Sequence, residues 1–287
     1  MSNAIVVKNI VKRYEDFTLD HVSFCVPQGS IVGFVGENGA GKSTTIRAIL
    51  DLIQLAEGEV EVLGLSKEER QEPAWREQIG VVFDVGHIPD LLNADQIGKV
   101  MQDIYRQWDS QTYAGYLKRF KLPRNKKYKD FSRGMKMKLS LAVAMSHGAK
   151  LLILDEPTGG LDPIIRDEIL DIFQEFIQEE DHSILISTHI ISDLEKVADY
   201  IVFIHEGKIC FQAEKDQLLE NYGIVHTTPE QAADLPVDLV LGRRDSRFSC
   251  DVMVTDRHAI YRCFPELSVD PAGIEDIMLY TVKGAKR

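Results

Sequence analysis

Short apolar runs separated by longer amphipathic stretches set the pattern of this chain. Ile31-Val32-Gly33-Phe34-Val35, Leu151-Leu152-Ile153-Leu154 and Ser183-Ile184-Leu185-Ile186-Ser187 are apolar with little alternation. Such runs predict strands buried on both faces of a sheet. A further short strand is predicted at residues 79–83, and two more at 200–211 around the turn Glu206-Gly207-Lys208. Residues 4–27 alternate weakly, as in Val22-Ser23-Phe24-Cys25-Val26, and close on the turn Pro27-Gln28-Gly29, which predicts an antiparallel edge. Residues 57–63 predict another short strand after a turn.

Between the runs the period changes. Ile46, Ile49, Leu50 and Ile53 share one helical face. Ile165, Ile169, Ile172, Phe173 and Phe176 do the same, in a helix that Asp162 caps and Pro163 opens. Residues 90–147 read as mostly helical. Strands alternating with helices predict an α/β domain with a largely parallel sheet. Beyond it, residues 224–228 and 250–254 predict short strands, 229–234 a helical turn and 271–280 a helix. Ile274, Ile277, Met278, Thr281 and Val282 share a face of that helix, which either packs within the tail or docks elsewhere. Residues 242–247, rich in arginine, read as an exposed turn.

Composition narrows the classes. The chain has 287 residues, 44% hydrophobic, enough for one large domain or a large and a small one. Its formal charge of −12 argues against a nucleic-acid partner. No apolar run reaches the roughly 18–20 residues of a membrane span, so a membrane role is expected to come through a partner. Met1-Ser2-Asn3-Ala4 leads straight into a strand pattern, so no secretory signal is expected. Cys25, Cys210, Cys250 and Cys263 lack metal spacing and read as reduced thiols.

The first core run ends in Gly36, Glu37, Asn38, Gly39, Ala40, Gly41, Lys42, Ser43 and Thr44, a match to G-x-x-x-x-G-K-[ST] between a strand and a helix. The glycines let successive backbone N–H groups turn toward one anion, and the helix N-terminus adds donors and partial positive charge. Lys42 suits the β/γ-phosphates and the Ser43 hydroxyl suits Mg²⁺. The later run Leu151-Leu152-Ile153-Leu154 delivers Asp155 and Glu156 to a strand's C-terminal end, where open α/β sheets hold ligands. Asp155 can hold Mg²⁺ directly or through water, and Glu156 can polarise an attacking water. His189 ends another core strand and can reach the γ-phosphate. Ser132 can cap the helix after residues 131–135, making a second anion site.

In this order the motifs resemble those of the ATP-binding subunits of ABC transporters, over residues 4 to about 215. The resemblance implies a P-loop NTPase of ABC type. It has a RecA-like mixed sheet, an antiparallel β subdomain, a helical subdomain at about 86–147 and a small α+β appendage. It places the ATPase domain at 1–220 and the accessory domain at 221–287. Tyr14 matches the aromatic that stacks on adenine, and residues 131–135 match the signature Leu-Ser-Gly-Gly-Gln. Gly160, Leu161 and Asp162 match the loop that crosses the dimer interface, and His189 matches the switch histidine. ATP would bind residues 36–44 of one subunit and Ser132, Arg133, Gly134 and Asp162 of another.

Two motifs depart from the family, the second of them at Arg133 and also at Met135, which replaces the final Gln. Asp84 stands where Gln usually contacts Mg²⁺. Arg133 replaces the first signature glycine and either adds charge at the γ-phosphate or faces solvent. The variant motifs look like a subgroup of bacterial exporters that includes phenol-soluble modulin and antimicrobial-peptide systems. The resemblance therefore implies an ATPase with ATP and Mg²⁺, a multi-span permease and a second ATPase subunit, identical or related. It would sit on the cytoplasmic face of the membrane. The rival readings are a soluble ABC ATPase acting on ribosomes or DNA, an importer ATPase, and an ATP sensor without hydrolysis.

Overall fold

The computed structural model of the chain describes residues 2–71, 73–83, 88–246 and 249–284. Strands β1 (Asn3–Arg13) and β2 (Thr18–Pro27) pair antiparallel. Strand β3 (Ile31–Val35) leads into helix α1 (Lys42–Ile49), and β4 (Glu57–Val62) returns to pair with β1. After β5 (Ile79–Val82) come three helices, α2 (Ala94–Ile104), α3 (Ser110–Arg119) and α4 (Arg133–Ala144). The chain then alternates through β6 (Leu151–Asp155), α5 (Pro163–Phe176), β7 (Ser183–Thr188), α6 (Ile191–Val197), β8 (Tyr200–His205) and β9 (Lys208–Glu214).

These elements form the expected architecture: a mixed core sheet, an antiparallel three-stranded sheet ordered β2-β1-β4, and a helical insert. The core sheet runs β5-β6-β7-β3-β8-β9, with its first five strands mutually parallel. Every residue of β3, β6 and β7 is buried, which explains their unbroken apolar runs. Their register brings three strand ends level. Phe34 of β3 and Asp155 of β6 both lie beside Ser187 of β7, so the strands finish at one edge. The loops after them carry Gly36, Glu156 and His189 to that edge.

Helix α1 is shorter than its apolar spacing predicts. It stops at Ile49, Leu50 forms its C-cap, and Asp51 turns left-handed at φ 55°. Ile53 therefore lies off the helix and packs against the core from the following loop. Arg70 anchors this helix end. Its side chain is wholly buried, donates to Ile49 O at 3.0 Å and Val60 O at 2.9 Å, and pairs with Asp51 at 3.2 Å. The helix that carries Lys42 is thereby tied to β4.

The chain divides into two compact units, Met1–Ile209 and Cys210–Arg287, whereas the motif pattern places the start of the tail at 221. The second unit contains α7 (Lys215–Asn221), β10 (Gly223–Thr227), α8 (Pro229–Ala232), β11 (Val240–Asp245), β12 (Cys250–Val254), α9 (Arg257–Cys263), β13 (Ser268–Pro271) and α10 (Ile274–Lys283). Its sheet is ordered β11-β12-β10-β13, all pairs antiparallel, over a core of Val225, Val252, Val254, Val269 and Ile260. The arginine-rich stretch expected as a turn is mostly an edge strand, since β11 pairs with β12 from Val240 to Asp245. Cross-strand pairing overrides the turn composition there. Helix α10 turns Ile274, Ile277 and Tyr280 inward. It approaches β11 so closely that a Cβ on Gly242 would lie 2.9 Å from Gly284 Cα. The plain expectation, packing within the tail, accounts for that contact.

On the face of this small sheet that also carries Gly242 and Arg244, His226 bridges two strands. Its Nδ1 donates to Asp251 at 2.8 Å and its Nε2 donates to Asp270 at 3.1 Å. Two carboxylate acceptors favour the doubly protonated ring, and the Asp251 hydrogen bond is the largest cause of its raised pKa. Because the folded value lies above the unfolded one, this stabilisation is complete below about pH 6.5. It is lost as pH rises through the higher folded value. An NMR titration of the His226 ring should therefore show a midpoint above that of an unstructured histidine. Replacing Asp251 with Asn should bring the midpoint down.

Candidate nucleotide site

The phosphate loop is shaped by backbone contacts that only glycine permits. A Cβ at Gly36 would stand 2.3 Å from the Ile204 carbonyl oxygen of β8. Gly41 has φ 114°, in the left-handed region, and seats against Leu19, Phe17 and Ile204. Thr45 Oγ1 donates to Gly41 O at 2.9 Å and locks the first turn of α1. The backbone donors of Lys42, Ser43 and Thr44 open the helix and are the ones a phosphate would take. Ser43 and Thr44 are half-buried at this end.

Lys42 is 6% exposed. Its Nζ donates to Gly36 O at 2.7 Å and Glu37 O at 3.2 Å, so the loop carbonyls hold the ammonium beneath the loop. From there it lies 3.5 Å from Glu156 Oε1. That oxygen is buried and has no hydrogen-bond partner among the described residues. The ammonium offsets its charge without directing an N–H at it. The other oxygen, Oε2, accepts from His189 Nδ1–H at 2.8 Å, and the imidazole is half exposed. Lys42, Glu156 and His189 thus form one polar chain across the ends of three strands.

Local backbone aims this chain. Glu156 has φ 52°, uncommon for a residue with a side chain, and its N–H donates to Ser187 O at 2.8 Å. Asp155 is buried and accepts from Ser187 Oγ–H at 2.9 Å. Ser187 was legible only as the residue two before His189, yet it fixes both acidic residues. Phe17 was also missed. Its ring packs at Gly41, and it lines a cleft of about 470 Å³ with Glu37, Asn38, Gly39 and Ala40. Tyr14 opens the same turn, donating its N–H to Phe17 O at 2.7 Å. Its ring is 46% exposed, with Lys12 Nζ 5.3 Å from the centroid.

Ser132, Arg133, Gly134 and Asp162 come together elsewhere. They line a cleft of about 350 Å³ that includes no residue of 36–44. Ser132 caps α4 by accepting from Met135 N at 3.3 Å, and Asp162 caps α5 by accepting from Ile165 N at 3.1 Å. Gly134 lets the two helices meet, since its Cβ would stand 3.0 Å from Ile165 Cγ2. The Arg133 guanidinium lies over Gly159 and Gly160 of its own chain.

Asp84 lies outside the described residues. Among those described, no cluster of three or more His, Cys, Asp or Glu is arranged to hold a metal. One buried carboxylate and one hydroxyl, from Asp155 and Ser43, still suit Mg²⁺, which keeps waters and phosphate oxygens as most of its ligands. Asp155 Oδ1 is occupied by Ser187, leaving Oδ2 for that task.

A glycine loop between a buried strand and a helix, with two acidic residues ending a neighbouring parallel strand, defines a P-loop nucleoside triphosphatase. Residues 19–159 match the family described as ABC transporter. The chain is 34% identical to the bacitracin transport ATP-binding protein BcrA of Bacillus licheniformis, over 76% of this chain and 72% of that protein. It is 35% identical to the lantibiotic transport ATP-binding protein SrtF of Streptococcus pyogenes, over 73% and 90% respectively. Among solved structures, an ATP-binding subunit of an ABC transporter superposes with TM-score 0.67 at 26% identity, covering 75% of this chain and 91% of that one. The chain belongs to the ABC transporter family as an ATP-binding subunit, and its activity is ATP hydrolysis.

Proposed function

We propose that this ATPase drives a separate multi-span permease that exports peptides or antimicrobial compounds. It would sit at the cytoplasmic face of the membrane and work as one of a head-to-tail pair. Two relatives named for bacitracin and lantibiotic transport support the exporter reading. Among the described residues no helix is long and apolar enough to cross a membrane, which agrees with a partner supplying the path. The observation that carries the mechanism is the buried Glu156 Oε1, ion-paired with Lys42 but without a hydrogen-bond partner among the described residues, while Oε2 is held by His189. It is a general base held at the phosphate edge with one oxygen kept for a water.

In this reading Tyr14 stacks on adenine, residues 36–44 cradle the phosphates and Lys42 neutralises the β/γ oxygens. Ser43 and Asp155 would hold Mg²⁺, with Asp84 a further candidate; the ion would offset charge on the transferred phosphoryl group. Glu156 takes the proton of the attacking water, and His189 fixes the carboxylate through Oε2. Ser132, Gly134 and Asp162 of a second subunit complete the site, because in one chain they line a different cleft. Solubilising membranes and isolating the tagged chain tests this. A multi-span protein should co-purify at stoichiometric yield; recovery with ribosomes or DNA instead would overturn the proposal.

A further inference from the structure

Arg133 is the departure from the family signature that the nucleotide site leaves without a task. It is the first residue of α4, and its side chain crosses to the loop that follows β6. A Cβ on Gly160 would stand 2.6 Å from Nη1 and 3.0 Å from Cζ, and one on Gly159 would stand 3.6 Å from Nη2. Gly160 has φ 66°, so a side chain there would be strained as well as in collision. The glycines make the seat and the guanidinium fills it.

That seat is four residues from Glu156 and mechanically joined to it. Gly159 N donates to Glu156 O at 3.2 Å, and Leu161 N donates to Thr158 O at 3.3 Å, so the loop is two overlapping turns. Arg166 supports the far side, with Nη2 3.5 Å from Leu161 O. Glu156 itself sits in a left-handed backbone conformation that its surroundings must enforce. The Arg133 contact falls on the same turn, at Gly159 and Gly160.

We infer that Arg133 is a positioning residue: its side chain straps the phosphate-facing end of α4 to the Glu156 turn of the same chain. This rests on the proposed composite site, in which the α4 end meets the γ-phosphate bound to the other subunit. A shift of α4 on meeting that phosphate is then transmitted through Arg133 and Gly160 to Glu156. Nucleotide held by one subunit thereby adjusts the base that serves the other nucleotide. The backbone of residues 132–134 remains the phosphate contact, and the guanidinium is the link.

A double-mutant cycle tests the strap. Arg133→Ala should lower kcat by about 10- to 100-fold, with ATP affinity for the phosphate loop within about twofold of the parent. Gly160→Ala, which evicts the guanidinium, should give the same split. The double variant should be no worse than either single one. Arg133→Lys should recover part of the rate, because a flexible ammonium can reach the loop but cannot lie flat on it. Melting curves identify any variant that is merely unfolded, and the lysine variant then carries the test.

Rate losses that multiply, or a Gly160→Ala enzyme with parental kcat, would overturn the strap. A rise in the KM for ATP with kcat intact would instead assign Arg133 to direct phosphate contact and likewise overturn it. The composite site is read separately, by whether Glu156→Gln forms an ATP-dependent dimer on gel filtration. If that variant stays monomeric, the composite site fails, whatever the cycle shows.

Discussion

Glu156→Gln should abolish turnover while leaving ATP bound. The substitution preserves shape and keeps an acceptor for His189 Nδ1–H, which now lies 2.8 Å from Oε2. It removes the negative charge at Oε1, the atom with no hydrogen-bond partner among the described residues and with Lys42 3.5 Å away. A neutral amide cannot take a proton from water, so the rate should fall by about 10²–10⁴-fold, the usual worth of a general base. Binding should hold or tighten. A carboxylate next to the γ-phosphate repels it, and Lys42 would no longer divide its charge between Glu156 and the nucleotide. Phosphate-release assays and equilibrium nucleotide binding on the same preparation separate the two effects. Normal turnover in this variant would remove Glu156 from the role of base.

Much of this site was readable because its chemistry is concentrated at strand ends. The three core strands were visible as unbroken apolar runs, and each was followed at once by Gly36, by Asp155 and Glu156, or by His189. Once those strands are parallel neighbours, the residues after them must meet at one edge. Strand order and register were not readable, since they depend on pairings between residues far apart in the chain. Ser187 shows the consequence. Its hydroxyl and carbonyl serve Asp155 and Glu156, but nothing local to residue 187 announces partners more than thirty positions away.

The misread places have local causes. Helix α1 ends where Asp51 turns left-handed and Arg70 collects the Ile49 carbonyl, a buried contact from 21 residues downstream. The apolar spacing continued to Ile53 because that residue packs on the same core without being helical. In the tail, β11 carries Gly242, Arg243 and Arg244, a composition suited to a turn. Gly242 serves close approach to α10 instead, and Arg244 Cζ lies 5.3 Å from the centre of the Tyr280 ring. For Arg133 the sequence left two outcomes, phosphate or solvent. The third, a seat on two glycines of its own chain, required knowing that α4 and the loop after β6 are neighbours.

Lys42→Ala should cost ATP affinity more than any other single change. Its ammonium is held by two loop carbonyls, so it is already placed where phosphate charge would arrive. Losing a buried charge partner typically costs about 3–5 kcal/mol, which corresponds to a rise in Kd of about 150- to 4,000-fold. Lys42→Arg should not rescue it, because a planar guanidinium cannot fit between Gly36 O and Glu37 O in the geometry that suits an ammonium. The apo protein should also lose stability, since Glu156 Oε1 would then be buried with no countercharge. The double variant Lys42→Ala with Glu156→Gln separates these effects. Its melting temperature should return toward the parent, because no unpaired charge remains, while ATP affinity should stay low. If the double variant melts as low as Lys42→Ala alone, the 3.5 Å contact contributes nothing to the fold. If it regains ATP binding, the loss came from Glu156 repulsion and not from the missing ammonium.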